Sequence, residues 1–323
     1  MSDNPTIVLH WYPTSPFAHK VAWALNFKKV QYKSVIISRI EPRPNRRPLD
    51  GGYRKTPILQ IGNHTYCDTK AIFAELERRF PEPSFYPKGP HGEPTEASIN
   101  VLTRWLDTTL FMNTTSQFRV ETFDEAFLKD RSQFAGREIN KDQVNALKPF
   151  TRHTMRADLA LLNHLVTEQS QNGEKWAIGT SEPSAADLHI AMILWFINII
   201  FGFDWTKDNF PVLGLQLKKT LDYVGYEQLD SLPKISEEEA IEVAKNEIWY
   251  LEDPKHDGSL PIELGTEVTV MPTDTGVVPS VGKLVHSTIR ETVIEHKDET
   301  HGTTVYIHFP IVGFIVIPKS NKL

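Results

Sequence analysis

The pattern of apolar and polar residues alternates between strand and helix signals over the first 80 residues. An apolar, β-branched run at residues 6–11 predicts a strand, and apolar residues at helical spacing over 17–27 predict a helix after a proline-containing turn. A second strand is predicted over 31–37, a hairpin over 58–67 and a helix over 69–80. This order of elements indicates an α/β domain.

The rest of the chain changes pattern twice. Residues 81–94 are rich in proline and glycine and predict a linker. Only helical patterns follow up to about residue 226, whereas five short β-branched runs with tight turns after residue 240 predict a small barrel. We therefore predict an α/β domain over 1–82, an all-helical domain over 95–230 and a small β-barrel-like extension of unknown role over 240–323.

Three features indicate a cytoplasmic protein. The longest apolar run, residues 188–203, is shorter than the roughly 20 residues that a bilayer requires and predicts a buried helix instead. The sequence begins Met-Ser-Asp-Asn-Pro, which lacks the basic and apolar regions of a secretory signal. The single cysteine, Cys67, can form no internal disulfide, as is usual in a reducing compartment.

The net charge and the spacing of the histidines argue against two classes of function, nucleic-acid binding and metal binding. A net charge of -6 argues against a general nucleic-acid-binding protein, which needs excess lysine and arginine. Four histidines near the C-terminus match no common metal-site spacing, so we predict no metal. One basic segment, 39–55, is either a solvated loop or an anion-binding rim. Its cationic residues are Arg39, Arg43, Arg46, Arg47, Arg54 and Lys55.

Ser15 lies between the first predicted strand and the first predicted helix. Because Pro16 follows it, Ser15 can act as the helix N-cap, with its hydroxyl near unpaired amides and the positive end of the helix dipole. That arrangement can bind an anion. A Ser-Pro pair is equally compatible with an ordinary helix start, so the motif alone leaves both interpretations open.

Two further segments point to a small peptide ligand. A cis proline in Lys55-Thr56-Pro57 would leave the Thr56 amide and carbonyl free to pair with an extended peptide. Where a strand enters the next helix, Asp68 can hold an ammonium group, and Thr69 with the helix amides can hold a carboxylate. Each segment alone is weak evidence for such a ligand, but the occurrence of these segments together and in this order is a specific signal.

In this combination the chain resembles the glutathione S-transferase superfamily, over roughly residues 6–226. Ser15-Pro16-Phe17 is similar to the catalytic motif of the serine-type classes, 55–57 to the cis-proline segment, and 68–69 to the acid-serine pair for the γ-glutamyl group. Residues 179–188 are similar to the helix-capping signature of the superfamily, to which we assign a structural role. With its C-terminal β extension the chain resembles extended fungal transferase-like proteins.

The resemblance implies a thioredoxin-like N-terminal domain, an all-α C-terminal domain, a cis peptide bond at Pro57 and a homodimer. It also implies glutathione as cosubstrate and a small, largely apolar electrophile, with conjugation, detoxification or secondary metabolism as the setting. A glutathione-dependent isomerase or lyase and a non-catalytic binding module are the alternatives. The implied site comprises Ser15 as catalytic residue and Phe17, Lys55, Thr56, Pro57, Asp68 and Thr69 as glutathione-binding residues.

A serine hydroxyl can account for activation of the glutathione thiol. Lowering a thiol pKa by about two units from about 8.5 requires roughly 2.7 kcal/mol. One charge-assisted hydrogen bond supplies about 1.5–3 kcal/mol, and a helix N-terminus adds about 0.3–1 kcal/mol. We prefer Ser15 to Tyr12 as the donor. Lys55, alone or together with an arginine from 39–54, would then pair with the glycyl carboxylate.

Overall fold

The computed structural model describes residues 5–251 and 253–319. The expectations about residues 1–4 and the last four residues of the predicted extension lie outside the described residues. Strands from both ends of the chain take part in one sheet. The strands are β1 (Ile7–Trp11), β2 (Lys33–Ile36), β3 (Ile58–Ile61), β4 (His64–Cys67), β5 (Glu267–Pro272), β6 (Ser280–Ser287), β7 (Glu291–Asp298), β8 (Thr303–Pro310) and β9 (Phe314–Pro318).

Helices surround this sheet and form the middle of the chain. The helix α1 begins at Pro16, directly after the cap Ser15, and α8 begins with a capping box formed by Ser184 and Asp187. The helices are α1 (Pro16–Phe27), α2 (Arg47–Asp50), α3 (Thr69–Arg79), α4 (Glu96–Trp105), α5 (Phe111–Thr115), α6 (Glu125–Ala135), α7 (Lys141–Gln169), α8 (Ala185–Phe201), α9 (Trp205–Asn209), α10 (Pro211–Val224) and α11 (Glu237–Asn246).

The long apolar run forms a buried helix, as predicted. Nearly every residue of α8 is buried, and the helix packs against α1, α4 and α10. Between residues 5 and 251 and between 253 and 319, no helix has the length and apolar character needed to cross a bilayer.

The prediction of a separate C-terminal barrel is wrong. The five predicted strands are present, but within the described residues they continue the N-terminal strands into one open sheet of nine strands, in the order β2-β1-β3-β4-β8-β7-β6-β5-β9. Parallel pairing of β4 with β8 joins the two groups, with Thr65 opposite Ile307. A lone β4 edge would leave backbone groups unpaired, and β8 satisfies them.

A histidine pair reinforces this junction. His64 Nδ1 lies 2.8 Å from His308 Nε2, and His64 Nε2 lies 3.1 Å from the Trp249 carbonyl. His308 Nδ1 lies 2.9 Å from the Glu291 carboxylate. Burial, followed by the neighbouring His308, lowers the pKa of His64 to about 3. His308 is therefore a buried residue at the junction of the two groups of strands.

Two apolar cores cover the two faces of the N-terminal strands. Leu9 and Trp11 face α1 and the helical half of the chain, whereas Val8 and Ile58 face α11 and the C-terminal strands. Ile307 of β8 lies in this second core, fully buried. Its Cδ1 would be only 2.9 Å from a Cβ at Gly51, where φ is +62°, so glycine permits both the turn and the close approach.

We expect Ile307→Ala to lower the free energy of unfolding of the whole chain by about 2–5 kcal/mol, because it opens a cavity in the shared core. All seven tryptophans precede residue 250, so their fluorescence reports on the rest of the chain. Denaturant unfolding followed by tryptophan fluorescence should shift together with circular dichroism. The exposed neighbour Thr304 provides the control Thr304→Ala, and an unchanged fluorescence midpoint in Ile307→Ala would contradict a shared core.

Candidate functional site

The register of the sheet brings the three predicted site segments together at the same end of neighbouring strands. His10 of β1 lies opposite Ile58 of β3, and Ile58 lies opposite Cys67 of β4. The turn after β1, the peptide before β3 and the residues after β4 therefore emerge side by side. Ser15, Thr56 and Asp68 belong to these three segments.

The Ser15 hydroxyl is oriented by the helix that it caps. Its Oγ accepts a hydrogen bond from the Ala18 amide at 3.3 Å, and the Ser15 amide donates to the Tyr12 carbonyl at 3.0 Å. The residue is only 4% exposed. None of the described residues accepts the hydrogen of the Ser15 hydroxyl, so this O–H can donate to a ligand atom.

The Thr56–Pro57 peptide bond is cis, as the resemblance implies. Among residues 5–251 and 253–319, nothing pairs with the Thr56 N–H or carbonyl. The Thr56 hydroxyl, in contrast, accepts a hydrogen bond from Arg46 Nη1 at 3.1 Å. The side chain is thus fixed inside the protein while the backbone offers one donor and one acceptor.

Asp68 and Thr69 begin α3. Asp68 has φ 77° and ψ 142°, a conformation that is strained for a residue with a side chain and is common at ligand-binding sites. Its Oδ1 accepts from the amide and from Nζ of Lys70, at 3.0 and 3.1 Å. Its Oδ2 and the Thr69 hydroxyl have no partner in the part of the chain that the structure describes. Although burial opposes the effect, Asp68 and Asp107 raise the pKa of Lys70.

Lys55, the predicted partner of a ligand carboxylate, already has an internal partner. Its Nζ donates to Asp274 Oδ1 at 2.5 Å. Asp274 lies in the turn between β5 and β6, more than two hundred residues away in sequence. Nothing in the local sequence around Asp274 indicated this contact.

The basic segment is neither a solvated loop nor an open anion-binding rim, because most of its arginines have internal partners. Arg46 is fully buried. Its Nε donates to Asp50 Oδ2 at 2.6 Å, and its Nη2 donates to the carbonyls of Tyr53 and Lys55. Together with the bond to Thr56, this one guanidinium holds the chain just before the cis proline, so Arg46 is a positioning residue.

The other arginines extend the same internal network. Arg43 donates to the carbonyls of Ser38 and Arg54, and Arg54 pairs with Asp130 of α6 at 3.0 Å. Arg39 differs because its side chain is 54% exposed and pairs with Asp124 at 3.3 Å. The segment thus ties the N-terminal sheet to α6.

Phe17 lies where α1 meets the helical half. Its ring packs edge-on against Phe111 of α5, with centroids 4.6 Å apart, and Lys20 Nζ lies 4.7 Å from its centroid. Phe111 in turn stacks on Phe196 of α8. Because Phe17 is two residues from Ser15 and only partly buried, it places an aromatic surface beside the hydroxyl.

A buried charge cluster, absent from the sequence-based predictions, lies beneath the start of α3. Asp107 accepts from Lys20 Nζ at 2.7 Å and from His189 Nδ1 at 2.9 Å. Burial, only partly opposed by Asp107, lowers the pKa of His189 to about 4. The partners His189 and Lys20 keep the pKa of Asp107 well below its usual range despite burial. A lysine within the apolar stripe of α1 was the available signal.

The alternative donor Tyr12 and the single cysteine have surroundings that differ from those of Ser15. Tyr12 packs against the second core, on the opposite face of the sheet from α1, whereas Ser15 heads α1 itself. Cys67 is fully buried, and burial raises the pKa of its thiol well above the ordinary value. A buried thiol in its neutral form is not a nucleophile.

Comparison with known proteins connects this site to a family. Residues 9–84 match the N-terminal domain of glutathione S-transferases, and residues 117–211 match a domain of unknown function. A probable glutathione S-transferase from Solanum tuberosum is 32% identical over 81 residues, and one from Nicotiana tabacum is 33% identical over 85 residues. These matches cover 24% and 25% of this chain, and the chain spans 36% and 35% of the length of those relatives.

Solved structures extend the similarity to the whole chain. A GST-like protein from Pseudomonas syringae is 30% identical, with a TM-score of 0.73, and the alignment covers 98% of this chain and 100% of that chain. A glutathione transferase from Phanerochaete chrysosporium, solved with oxidised glutathione, is 13% identical with a TM-score of 0.53. That alignment covers 72% of this chain and 99% of the other, and at this identity it shows the fold alone.

We expect Arg46→Met to lower the free energy of unfolding by about 3–5 kcal/mol, because it leaves the buried Asp50 carboxylate and two carbonyls without their main donor. Arg39→Met is the matched control, because its exposed ion pair should matter by less than about 1 kcal/mol. Denaturant unfolding measures both changes. Equal effects of the two substitutions would contradict the positioning role of Arg46.

The free energy of unfolding should also fall between pH 7 and pH 5. Unfolded His189 gains a proton near pH 6.5, whereas the folded ring, with its pKa lowered to about 4, does not. The unfolded chain therefore binds more protons in this window, so stability rises with pH, by about 1–2 kcal/mol for this residue. Urea unfolding of the wild type and of His189→Asn, which keeps an N–H donor but does not titrate, measures it. An equal loss in both proteins would contradict the assignment.

Proposed function

The chain belongs to the glutathione S-transferase superfamily, and we propose that it is a serine-type enzyme that activates the thiol of glutathione. The thiolate attacks a small, largely apolar electrophile. A sulfur–carbon bond forms, and either a leaving group departs with its electron pair or the neighbouring atom of an activated double bond takes up a proton. The thiol proton is lost to solvent when glutathione binds.

The observation that carries this proposal is the uncommitted hydrogen of the Ser15 hydroxyl. The Ala18 amide fixes Oγ at the positive end of α1, and the hydrogen has no acceptor among the described residues. A thiolate placed there gains a charge-assisted hydrogen bond of about 1.5–3 kcal/mol and a helix-dipole contribution of about 0.3–1 kcal/mol. Their sum covers the roughly 2.7 kcal/mol that a two-unit decrease in thiol pKa requires.

The rest of the tripeptide fits the groups on either side of Ser15. The cysteinyl unit pairs with the Thr56 N–H and carbonyl, which have no other partner among the described residues. At the start of α3, the γ-glutamyl ammonium meets Asp68 Oδ2, and its carboxylate meets the Thr69 hydroxyl and the helix amides. Lys55 is the cation nearest to the glycyl end. Pro57 shapes the segment that presents Thr56.

The electrophile lies on the apolar side of Ser15, formed by Phe17 and Phe111. Both rings are only partly buried, so they can contact an apolar molecule without first leaving the core. Met112, on the same helix as Phe111, is 55% exposed and adds flexible apolar surface. This surface suits an aromatic or aliphatic group beside the reactive carbon.

The proposal includes a cytoplasmic homodimer. A groove of about 1420 Å³ runs between α3, α4 and the C-terminal sheet and is open to a second molecule. Along it Val101 is 73% exposed and Ile289 is 72% exposed, which leaves apolar surface for a subunit contact. Because β8 covers the β4 edge, the C-terminal strands contribute to that contact.

Ser15→Ala should still bind immobilised glutathione but should lower turnover of a generic aromatic electrophile about 10- to 150-fold, since 1.4 kcal/mol corresponds to a factor of ten. Thiolate absorbance in the complex should show a higher thiol pKa. Tyr12→Phe removes the competing hydroxyl and should leave the turnover and the thiol pKa unchanged. Because loss of the N-cap costs about 1 kcal/mol, circular dichroism checks that Ser15→Ala is folded.

Three results would contradict the proposal. Unchanged turnover in Ser15→Ala would show that another group activates the thiol. A decrease in Tyr12→Phe alone would transfer the role to Tyr12. A wild-type complex that binds glutathione but keeps an ordinary thiol pKa would favour the non-catalytic module, which keeps the fold for protein binding or regulation.

A further inference from the structure

We infer that Asp274 is a specificity-determining residue, because it competes with the C-terminal carboxylate of the bound thiol peptide for Lys55. The site therefore accepts a peptide with a neutral glycyl end almost as well as glutathione itself. This inference rests on the proposed function and adds a substrate preference to it.

Lys55 already pairs with a carboxylate of the same chain. It directly precedes Thr56, whose backbone pairs with the cysteinyl unit of the proposed ligand, and it is therefore the cation that the proposed function assigns to the next residue of the peptide. Lys55 Nζ is 2.5 Å from Asp274 Oδ1, and its side chain is 18% exposed. The ammonium group of Lys55 thus already forms an ion pair within the chain.

The turn carrying Asp274 is held in place by hydrogen bonds to two neighbouring segments. The Thr273 amide donates to the Gly313 carbonyl at 3.0 Å, and the Gly276 amide donates to the Phe134 carbonyl of α6 at 2.8 Å. Gly276 has φ +61°, and a Cβ there would lie 2.7 Å from the Phe134 ring. The turn therefore presents the Asp274 carboxylate from a defined position.

Among the described residues, the cations near Lys55 are already paired and do not replace it. Arg46 and Arg43 are buried and donate to internal acceptors, and Arg54 pairs with Asp130. Lys70, near the start of α3, pairs with Asp68. Along the described residues of segment 43–55, each cationic side chain has an internal partner. An incoming carboxylate must therefore displace Asp274, and it then lies near a second negative charge.

The magnitude of the effect follows from exposure. The Asp274 side chain is 63% exposed, so solvent screens the ion pair. Exposed pairs of this kind change equilibria by small factors rather than by orders of magnitude. Asp274 should therefore reduce the affinity for a free glycyl carboxylate by about two- to fivefold without preventing glutathione from binding.

Titration calorimetry with glutathione and with its glycyl monoethyl ester, which is neutral at that end, tests the inference. Wild type should bind the two peptides with affinities that differ by less than about threefold. Asp274→Asn should bind glutathione about two- to fivefold more tightly than wild type, with unchanged affinity for the ester. The gain should disappear in Lys55→Gln/Asp274→Asn and should decrease at high salt.

Glu267→Gln is the matched control. Glu267 lies at the other end of β5 and forms a comparable exposed ion pair with Lys319 at 2.9 Å, so its loss should change neither affinity. Equal glutathione affinities of wild type and Asp274→Asn would overturn the role of Asp274 while leaving glutathione binding intact. Failure of every variant to bind either peptide would overturn the proposed function and this inference together.

Discussion

The parallel pairing of β4 with β8 is the interaction on which the arrangement of this protein depends. The pairing makes β4, the edge strand of the N-terminal sheet, an inner strand of the nine-stranded sheet. It also places the C-terminal strands over the apolar face to which Val8 and Ile58 contribute. The same pairing fixes where the turn between β5 and β6 lies. A turn that is more than two hundred residues away in sequence thereby becomes a neighbour of Lys55.

Buried guanidinium groups supply the hydrogen-bond donors that this architecture requires. Covering both sides of the 43–55 segment removes its carbonyls from water, and each buried carbonyl then needs a donor. Arg46 and Arg43 supply those donors, and their fork geometry lets one side chain serve several acceptors. Arginines that could have bound an anionic ligand are instead used to hold the backbone that presents Thr56.

What could be predicted from the sequence was local in origin. The Ser15 cap and the helix starting at Asp68 depend on neighbouring residues, and the cis bond at Pro57 belongs to a motif of contiguous residues. The partner of β8 could not be predicted, because alternating patterns specify a strand and its buried face but not which edge it joins. Asp274 was missed for the same reason, since its contact depends on that pairing.

Ser15 and Lys55 lie at the two ends of the candidate site and differ in whether their donor groups already have partners within the protein. Ser15 keeps a donor hydrogen without an acceptor among the described residues, in a water-poor position where a hydrogen bond to an anion is strong. Lys55, in contrast, has a carboxylate partner in a more exposed position, where electrostatic interactions are weak. In the proposed function, interactions that distinguish a thiolate from a thiol are therefore favoured over interactions that hold the rest of the tripeptide. Selectivity of this kind for the charged form raises reactivity rather than affinity.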